Sequence, residues 1–356
     1  MKKIKSIQIG KKTISLGKTF IVAEMSANHN NSLSRAKNLI LNAKKSGADA
    51  IKLQTYTPDS LTLNCNKKDF VIKNLPKNSP WKKYKTHYQL YRRTSAPISW
   101  HKELFKYAKK IKIEIFSSPF DLDSVDLLEK LGCVAYKIAS PEITHIPLIE
   151  KVAKTKKPII LSTGVASLQD LSLAVKTIKK FKNNKIIILK CETAYPAKIA
   201  NCNLNSLNFL SKKYNSLVGY SDHTKSTTTA IISVLMGGCL IERHFNLEDN
   251  LKTPDSFFSS KFSEFKNMVQ EVRQIEKLDQ NNLYLLSKNA KRNSVAKRSI
   301  YISRKVKKND IIDKSNVKVV RPGYSLHPKY FYKIMGKKFK KSKNFGDRLS
   351  LKDIIF

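Results

Sequence analysis

Eight short apolar runs recur along the chain, each ending in residues that a buried core does not select. They are VAEMS (22–26), IKLQT (51–55), IEIFSS (113–118), AYKIAS (135–140), PIILST (158–163), IIILKCET (186–193), LVGYSDH (217–223) and LIERHF (240–245). All are rich in β-branched or aromatic residues. Stretches of helical periodicity mostly separate them, at 32–48, 98–111, 121–132, 167–181, 203–214 and 227–238. Alternation of this kind builds βα units, and eight in succession predict a closed (β/α)8 barrel, the TIM-barrel class of α/β fold. Chemistry in such barrels sits where the strands end. Glu24, Lys52, Gln54, Ser118, Lys137, Ser140, Ser162, Ser221, His223 and His244 are therefore expected to converge on one mouth.

With 356 residues the chain has room for one large and one small domain. The barrel is expected over 1–278, closed by the helical pattern at 263–278. A linker of little periodicity follows at 279–298, and short strand-like runs broken by Gly, Pro and Asn form a small domain over 299–356. One stretch breaks the βα rhythm. Residues 57–97 are too many for a simple βα loop, and an insertion after a barrel strand is expected to wall the substrate pocket.

The opening MKKIKSIQIGKKTISLG lacks a continuous apolar stretch and reads as a β-hairpin rather than a signal peptide. No apolar run approaches the about 18 residues of a membrane span. Five cysteines, with no CxxC pair, read as reduced thiols of a cytoplasmic protein. The formal charge of +41 first suggests a nucleic-acid partner. Its lysines, however, are spread over almost every helical segment, with no basic stripe and no interleaved aromatics. A solvated basic surface that speeds the approach of anionic substrates is the expectation, with weak polyanion binding as the alternative.

SDHT (221–224) and ERHF (242–245) set His223 and His244 at the ends of neighbouring strands. Adjacent strands lie about 4.8 Å apart, so the two imidazoles can share one divalent cation and leave positions open for substrate oxygen. The same pair also reads as two hydrogen-bonded core histidines. Lys52 and Gln54 face one side of their strand by alternation, and Lys137 belongs to another inward set. An inward lysine is costly to desolvate without an anion, so two of them beside Ser118, Ser140 and Ser162 suggest a pocket for a carboxylate and a phosphate. Lysines turned to solvent are the alternative. Glu24 suits a general base, or a partner for Lys52. Asp255 in TPDS (253–256) is placed either at substrate hydroxyls or in a plain loop turn.

VAEMSANHN, IKLQTYTPDSLTL, FSSPFD, AYKIASPEI, LSTG, YSDHT and ERHF, in this order, resemble the sialic acid synthase family over nearly the whole chain. The resemblance implies that residues 299–356, with VVRPG (319–323), form an antifreeze-like (SAF) domain. It also implies condensation of phosphoenolpyruvate with an open-chain amino sugar, giving a nine-carbon 2-keto acid and phosphate. On this likeness Lys52, Gln54, Ser118, Lys137, Ser140, Ser162 and Ser221 contact phosphoenolpyruvate, and His223 and His244 hold manganese, with magnesium or cobalt as alternatives. Glu24, Asp255 and Tyr195 lie near the sugar. Arg321 is lent to a partner's site in a domain-swapped homodimer. Thr193 stands where the family usually carries Asn, at a phosphate contact. LYRRTSAPISWH (90–101) and KLQTYTPDSLTL look most like the branch that forms pseudaminic acid from 2,4-diacetamido-2,4,6-trideoxy-L-altrose. The N-acetylneuraminate and legionaminate branches are the alternatives.

Overall fold

The computed structural model describes residues 6–73, 75, 79–278 and 284–356, and the chain divides into two compact units, Met1–Leu278 and Asp279–Phe356. The first unit begins with an antiparallel hairpin of β1 (Ser6–Ile9) and β2 (Lys12–Ser15). Alternation buries Ile7, Ile9 and Ile14 there. Ile4 and Lys5, expected in its first arm, lie outside the described residues.

The barrel follows as β3 (Phe20–Glu24), α1 (Leu33–Lys45), β4 (Ala50–Thr55), α2 (Pro58–Leu61), α3 (His87–Thr94), α4 (His101–Ile111), β5 (Glu114–Pro119), α5 (Leu122–Lys130) and β6 (Tyr136–Ile138). It continues as α6 (Ile146–Lys154), β7 (Ile159–Ser162), α7 (Leu168–Lys180), β8 (Ile186–Cys191), α8 (Ser206–Tyr214), β9 (Leu217–Asp222), α9 (Thr228–Leu235), β10 (Leu240–His244) and α10 (Phe262–Ile275). Strands β3 to β10 are parallel, and β10 pairs with β3 to close the ring, His244 beside Glu24. The eight apolar runs are the eight staves. Their interiors are almost wholly buried because helices cover the outer face and side chains fill the inner one.

Helix α1 shows how the sequence sets these elements. The Ser32 hydroxyl accepts the Arg35 N–H as an N-cap, and Ala36, Leu39, Ile40 and Ala43 face the core at helical spacing. Gly47, at φ +88°, turns the chain away just beyond the last turn. One helix goes beyond the sequence reading. Helix α6 fills the gap between β6 and β7, burying Leu148, Ile149, Val152 and Ala153. Nine residues with Pro147 in the first turn give a short pattern, and packing rather than periodicity makes it a helix.

Segment 57–97 carries α2, two 3-10 turns and α3; residues 74 and 76–78 lie outside the described set.

The second unit holds α11 (Lys288–Arg292), β11 (Ser299–Ile302), β12 (Val317–Val320), α12 (Phe331–Ile334), β13 (Lys338–Phe339) and β14 (Ile354–Ile355). Two antiparallel pairs, β11–β12 and β13–β14, surround a core that includes Ile300, Ile302, Ile312, Val317, Ile334 and Phe339. The stretch expected as a plain linker differs. Residues 279–283 lie outside the described set, but Ser287 caps α11 by accepting the Ala290 N–H, and a 3-10 turn follows at Asn293–Ala296.

Candidate active site

The C-terminal ends of the barrel strands enclose a cavity of ≈ 60 Å³. Lys52 and Gln54 reach it from β4, Ser118 from β5, Lys137 from β6, Ser162 from β7, Ser221 from β9 and His244 from β10. Ser140 follows β6, Thr193 and Tyr195 follow β8, and His223 follows β9. Period-two alternation explains the pairs: residues 52 and 54, like 242 and 244, project to the same side.

The lysines already have partners. Lys52 Nζ lies 2.5 Å from Glu24 Oε2 and 3.7 Å from Glu242 Oε1, and it donates to Ser118 Oγ at 3.3 Å. Lys137 Nζ donates to Glu242 Oε1 at 2.8 Å. Protein carboxylates thus offset the desolvation of both ammonium groups. Glu24 is fully enclosed and does not line the cavity. It sits behind Lys52 and Gln54, its Oε1 accepting from Gln54 Nε2 and the Ser26 N–H, each at 3.0 Å.

The two carboxylates separate in proton affinity. Burial raises both, but Lys137 and Lys52 together hold Glu242 below the ordinary carboxylate range. For Glu24, burial outweighs the help of Lys52, and the charge of Glu242 adds to the rise. Glu242 is therefore the stronger acid of the two and Glu24 the weaker.

The hydroxyls differ in what they do. Ser140 Oγ accepts the Val165 N–H at 2.5 Å, whereas Ser162 Oγ is buried with no hydrogen-bond partner. A Cβ at Gly164 would lie 1.8 Å from Thr193 Oγ1 and 3.0 Å from Ser140 Oγ, so the missing side chain lets these hydroxyls crowd one backbone turn.

The imidazole rings of His223 and His244 lie 5.3 Å apart. His223 Nδ1 is 2.9 Å from the Glu192 carbonyl, which makes it the protonated nitrogen and leaves Nε2 with its lone pair. His244 Nδ1 is buried without a partner; burial, then the neighbouring His223, drives its pKa well below the usual value. At His223 burial is outweighed by Cys191 and the Glu192 carbonyl, so its pKa is raised. Two imidazoles on adjacent strand ends fit a divalent cation, which would bind in competition with that proton. Among the described residues, no group of three or more His, Cys, Asp or Glu could hold a metal ion, so substrate or water would complete the coordination. Behind them Arg243, itself buried, pairs with Asp222 and donates to the Thr224 and Lys225 carbonyls and to Ser260 Oγ. This pair locks the ends of β9 and β10.

A second cavity of ≈ 360 Å³ adjoins the first and shares Gln54, Tyr195 and His244 with it. Segment 57–97 walls it, with Leu61, Ile72, Trp81, Leu90 and Tyr91. Asp255 lines this cavity rather than the first; its Oδ2 accepts the Ala27 N–H at 3.0 Å, and burial raises its pKa. Tyr195 packs between His223 and Phe258, centroids 4.5 and 4.8 Å away, and Trp81 stands at 5.6 Å. Arg321 stands apart from these groups in the sequence of elements: it follows β12 in the second unit and is exposed there.

Several residues here were not singled out from the sequence. Glu242 shares the alternation that pointed to His244 and was legible by the same period. Trp81 and Phe258 come from loops whose paths only tertiary structure fixes. Among the described residues no helix is long and apolar enough to cross a membrane.

The NeuB family model matches residues 39–283, and the SAF domain model matches residues 297–355. The pseudaminic acid synthase of Campylobacter jejuni (strain 81-176) is 44% identical over 336 residues, covering 94% of this chain and 96% of that protein. The pseudaminic acid synthase of Helicobacter pylori is 41% identical, covering 94% and 97%. Among solved structures, the spore coat polysaccharide biosynthesis protein SpsE of Bacillus subtilis superposes with a TM-score of 0.67 at 29% identity, over 99% of each chain.

Proposed function

This chain belongs to the NeuB family, and from that premise we propose that it condenses phosphoenolpyruvate with an open-chain acetamido sugar. The sugar in this reading is 2,4-diacetamido-2,4,6-trideoxy-L-altrose and the products are pseudaminic acid and phosphate, in keeping with the names of the relatives at 41% and 44% identity. One observation carries it: two buried ammonium groups and two imidazoles open into one cavity, beside a larger cavity walled by an insertion.

Lys52 and Lys137 turn from their carboxylates to the phosphate and carboxylate of phosphoenolpyruvate, with Ser118, Ser140, Ser162, Thr193 and Ser221 as neutral donors. Tyr195, Gln54 and Asp255 orient the sugar so that its aldehyde carbon meets C3 of phosphoenolpyruvate. Holding both reactants can supply on the order of 7–11 kcal/mol of the barrier. His223 and His244 would hold a divalent cation, manganese in this reading, which when bound polarises the aldehyde oxygen. C3 forms the new C–C bond, water adds at C2, and the C2–O bond breaks to release phosphate. Glu24, with its raised proton affinity, takes the proton of that water once Lys52 has turned away. The second unit of a partner copy lends Arg321 to the site in a domain-swapped homodimer. The five free cysteines suit a cytoplasmic enzyme.

The test is phosphate release from phosphoenolpyruvate across a panel of diacetamido-trideoxyhexoses and N-acetylmannosamine, with and without manganese. Sugar-dependent, metal-dependent release is expected. Release that ignores the sugar, or none with any sugar, sinks the reaction.

A further inference from the structure

We propose that Asn28 is a positioning residue for the sugar half of the site, fastening the loop after β10 so that Asp255 and Phe258 line the larger cavity. This deepens the reaction proposed above and rests on it. Asn28 lies in the 3-10 turn Ser26–His29 that follows β3, is fully buried, and lines neither cavity. Its Nδ2 donates to the Phe245 carbonyl at 2.9 Å and to Ser259 Oγ at 2.8 Å, and its Oδ1 accepts from the Thr253 hydroxyl. These contacts grip the loop on both sides of Asp255, at 253 and at 259, and tie it to the residue that follows β10. Arg35, from α1, holds the start of the same loop. It donates from Nε to the Asn28 carbonyl at 2.7 Å and from Nη2 to Asn246 Oδ1 at 2.8 Å, and it pairs with Asp249.

Three consecutive residues of this turn thus hold three parts of the site. The Ser26 N–H holds Glu24, the Ala27 N–H holds Asp255, and the Asn28 side chain holds the loop that carries Asp255. Ser26 adopts a left-handed φ of +42°, backbone that a serine rarely takes and that persists only where the surroundings over-determine it. A primary amide suits position 28 because it donates twice and accepts from one rigid plane. A carboxylate there would face the Phe245 carbonyl with no proton to offer, and alanine would take the amide from that buried carbonyl and from the Thr253 hydroxyl. The loop bears on one side of the reaction only. Asp255 and Phe258 line the larger cavity, and no residue of 253–259 lines the smaller one. Its neighbour on the insertion is Trp81, whose Nε1 donates to the Pro254 carbonyl at 3.0 Å and whose ring meets Phe257 and Phe258. Loosening Asn28 should therefore shift Asp255 and Trp81 together and leave the two ammonium groups in place.

The experiment compares wild type, Asn28→Ala, Thr253→Val, Thr253→Ser and the double variant of Asn28→Ala with Thr253→Val. Turnover is read by phosphate release at varied diacetamido sugar and at varied phosphoenolpyruvate. The loop is read separately, by acrylamide quenching of Trp81 in a Trp100→Phe background, which removes the other of the two tryptophans. Asn28→Ala is expected to lower kcat/KM for the sugar on the order of 10- to 100-fold and to raise the quenching constant of Trp81. The KM of phosphoenolpyruvate should stay within about twofold. Thr253→Val, which removes a single hydroxyl, should move the sugar kinetics and the quenching in the same direction by less, and Thr253→Ser should restore both. The double variant should lose less than the two single losses combined, because the partner of the hydroxyl is already gone. The Thr253 pair decides on the same criteria where Asn28→Ala does not fold. A parallel rise in the phosphoenolpyruvate KM, strictly additive losses, or Trp81 quenching unchanged from wild type overturns the assignment. Wild type that turns over no sugar while Trp81 still follows Asn28 sinks the condensation and spares the positioning role. Turnover whose sugar kinetics ignore both Asn28 and Thr253 sinks the positioning role alone.

Discussion

Lys137 and Glu242 form a buried ion pair at 2.8 Å across the barrel interior, joining β6 to β10. The cavity around them, ≈ 60 Å³, holds about two waters. An anionic substrate therefore competes with Glu242 for the same ammonium groups. Glu242→Gln is expected to tighten phosphoenolpyruvate binding roughly tenfold or more by removing that competitor. It should also lower stability by about 3 kcal/mol through the unbalanced buried charge. Calorimetric titration and denaturant midpoints check the two effects, and weaker binding in the variant would contradict the competition.

The pair Arg243–Asp222 should be structural in its effect. Asp222→Ala leaves a guanidinium buried and uncompensated, at a cost of about 3–5 kcal/mol. A urea midpoint close to wild type would show that the Thr224 and Lys225 carbonyls suffice to hold Arg243 in place.

His29 supplies a pH dependence. Its Nδ1 accepts the Asn31 N–H and its Nε2 faces the Thr94 carbonyl at 3.2 Å, an arrangement only the neutral ring satisfies. Burial lowers its pKa to about 4, against 6.5 ordinarily. The unfolded chain then binds more protons between these values, so this contribution is complete above pH 6.5 and is lost as pH falls toward 4. Its full span is about 3 kcal/mol. In His29→Gln the slope of stability over that window should flatten, as measured by denaturant midpoints at several pH values.

Gly164 is expected to resist any side chain. Its Cβ would collide with Thr193 Oγ1, so Gly164→Ala should weaken phosphoenolpyruvate binding roughly tenfold. Adding Thr193→Ala should relieve part of the loss, and strict additivity of the two changes would argue against a clash.

The cation site gives a measurement apart from turnover. His223→Ala or His244→Ala should abolish stoichiometric manganese binding seen by electron paramagnetic resonance, while chelation of wild type halts phosphate release. Manganese bound at one equivalent in either variant would move the site elsewhere.

Much of this was legible from strand alternation alone. Residues at 52 and 54, or 223 and 244, were assigned to one mouth because parallel strands end together, and the structure brings them into one cavity. Alternation also held Glu242, but a carboxylate between two lysines is visible only when three strands meet. Glu24 read as a strand-end carboxylate at the mouth, yet the side chains of Lys52 and Gln54 stand between it and the cavity. Helix α6 escaped because nine residues with an early proline carry little period of their own. Trp81 and Phe258 lie on loops, where neighbours in space are remote in sequence.

Strand β10 presents Glu242, Arg243 and His244 at consecutive positions, and the middle one is clamped to Asp222 on the opposite side from its neighbours. Slippage by a single residue would drive a guanidinium inward and expel both the counterion and the imidazole. That stave therefore tolerates little change, whereas segment 57–97, which walls the larger cavity, can lengthen or change without disturbing the keyed strand.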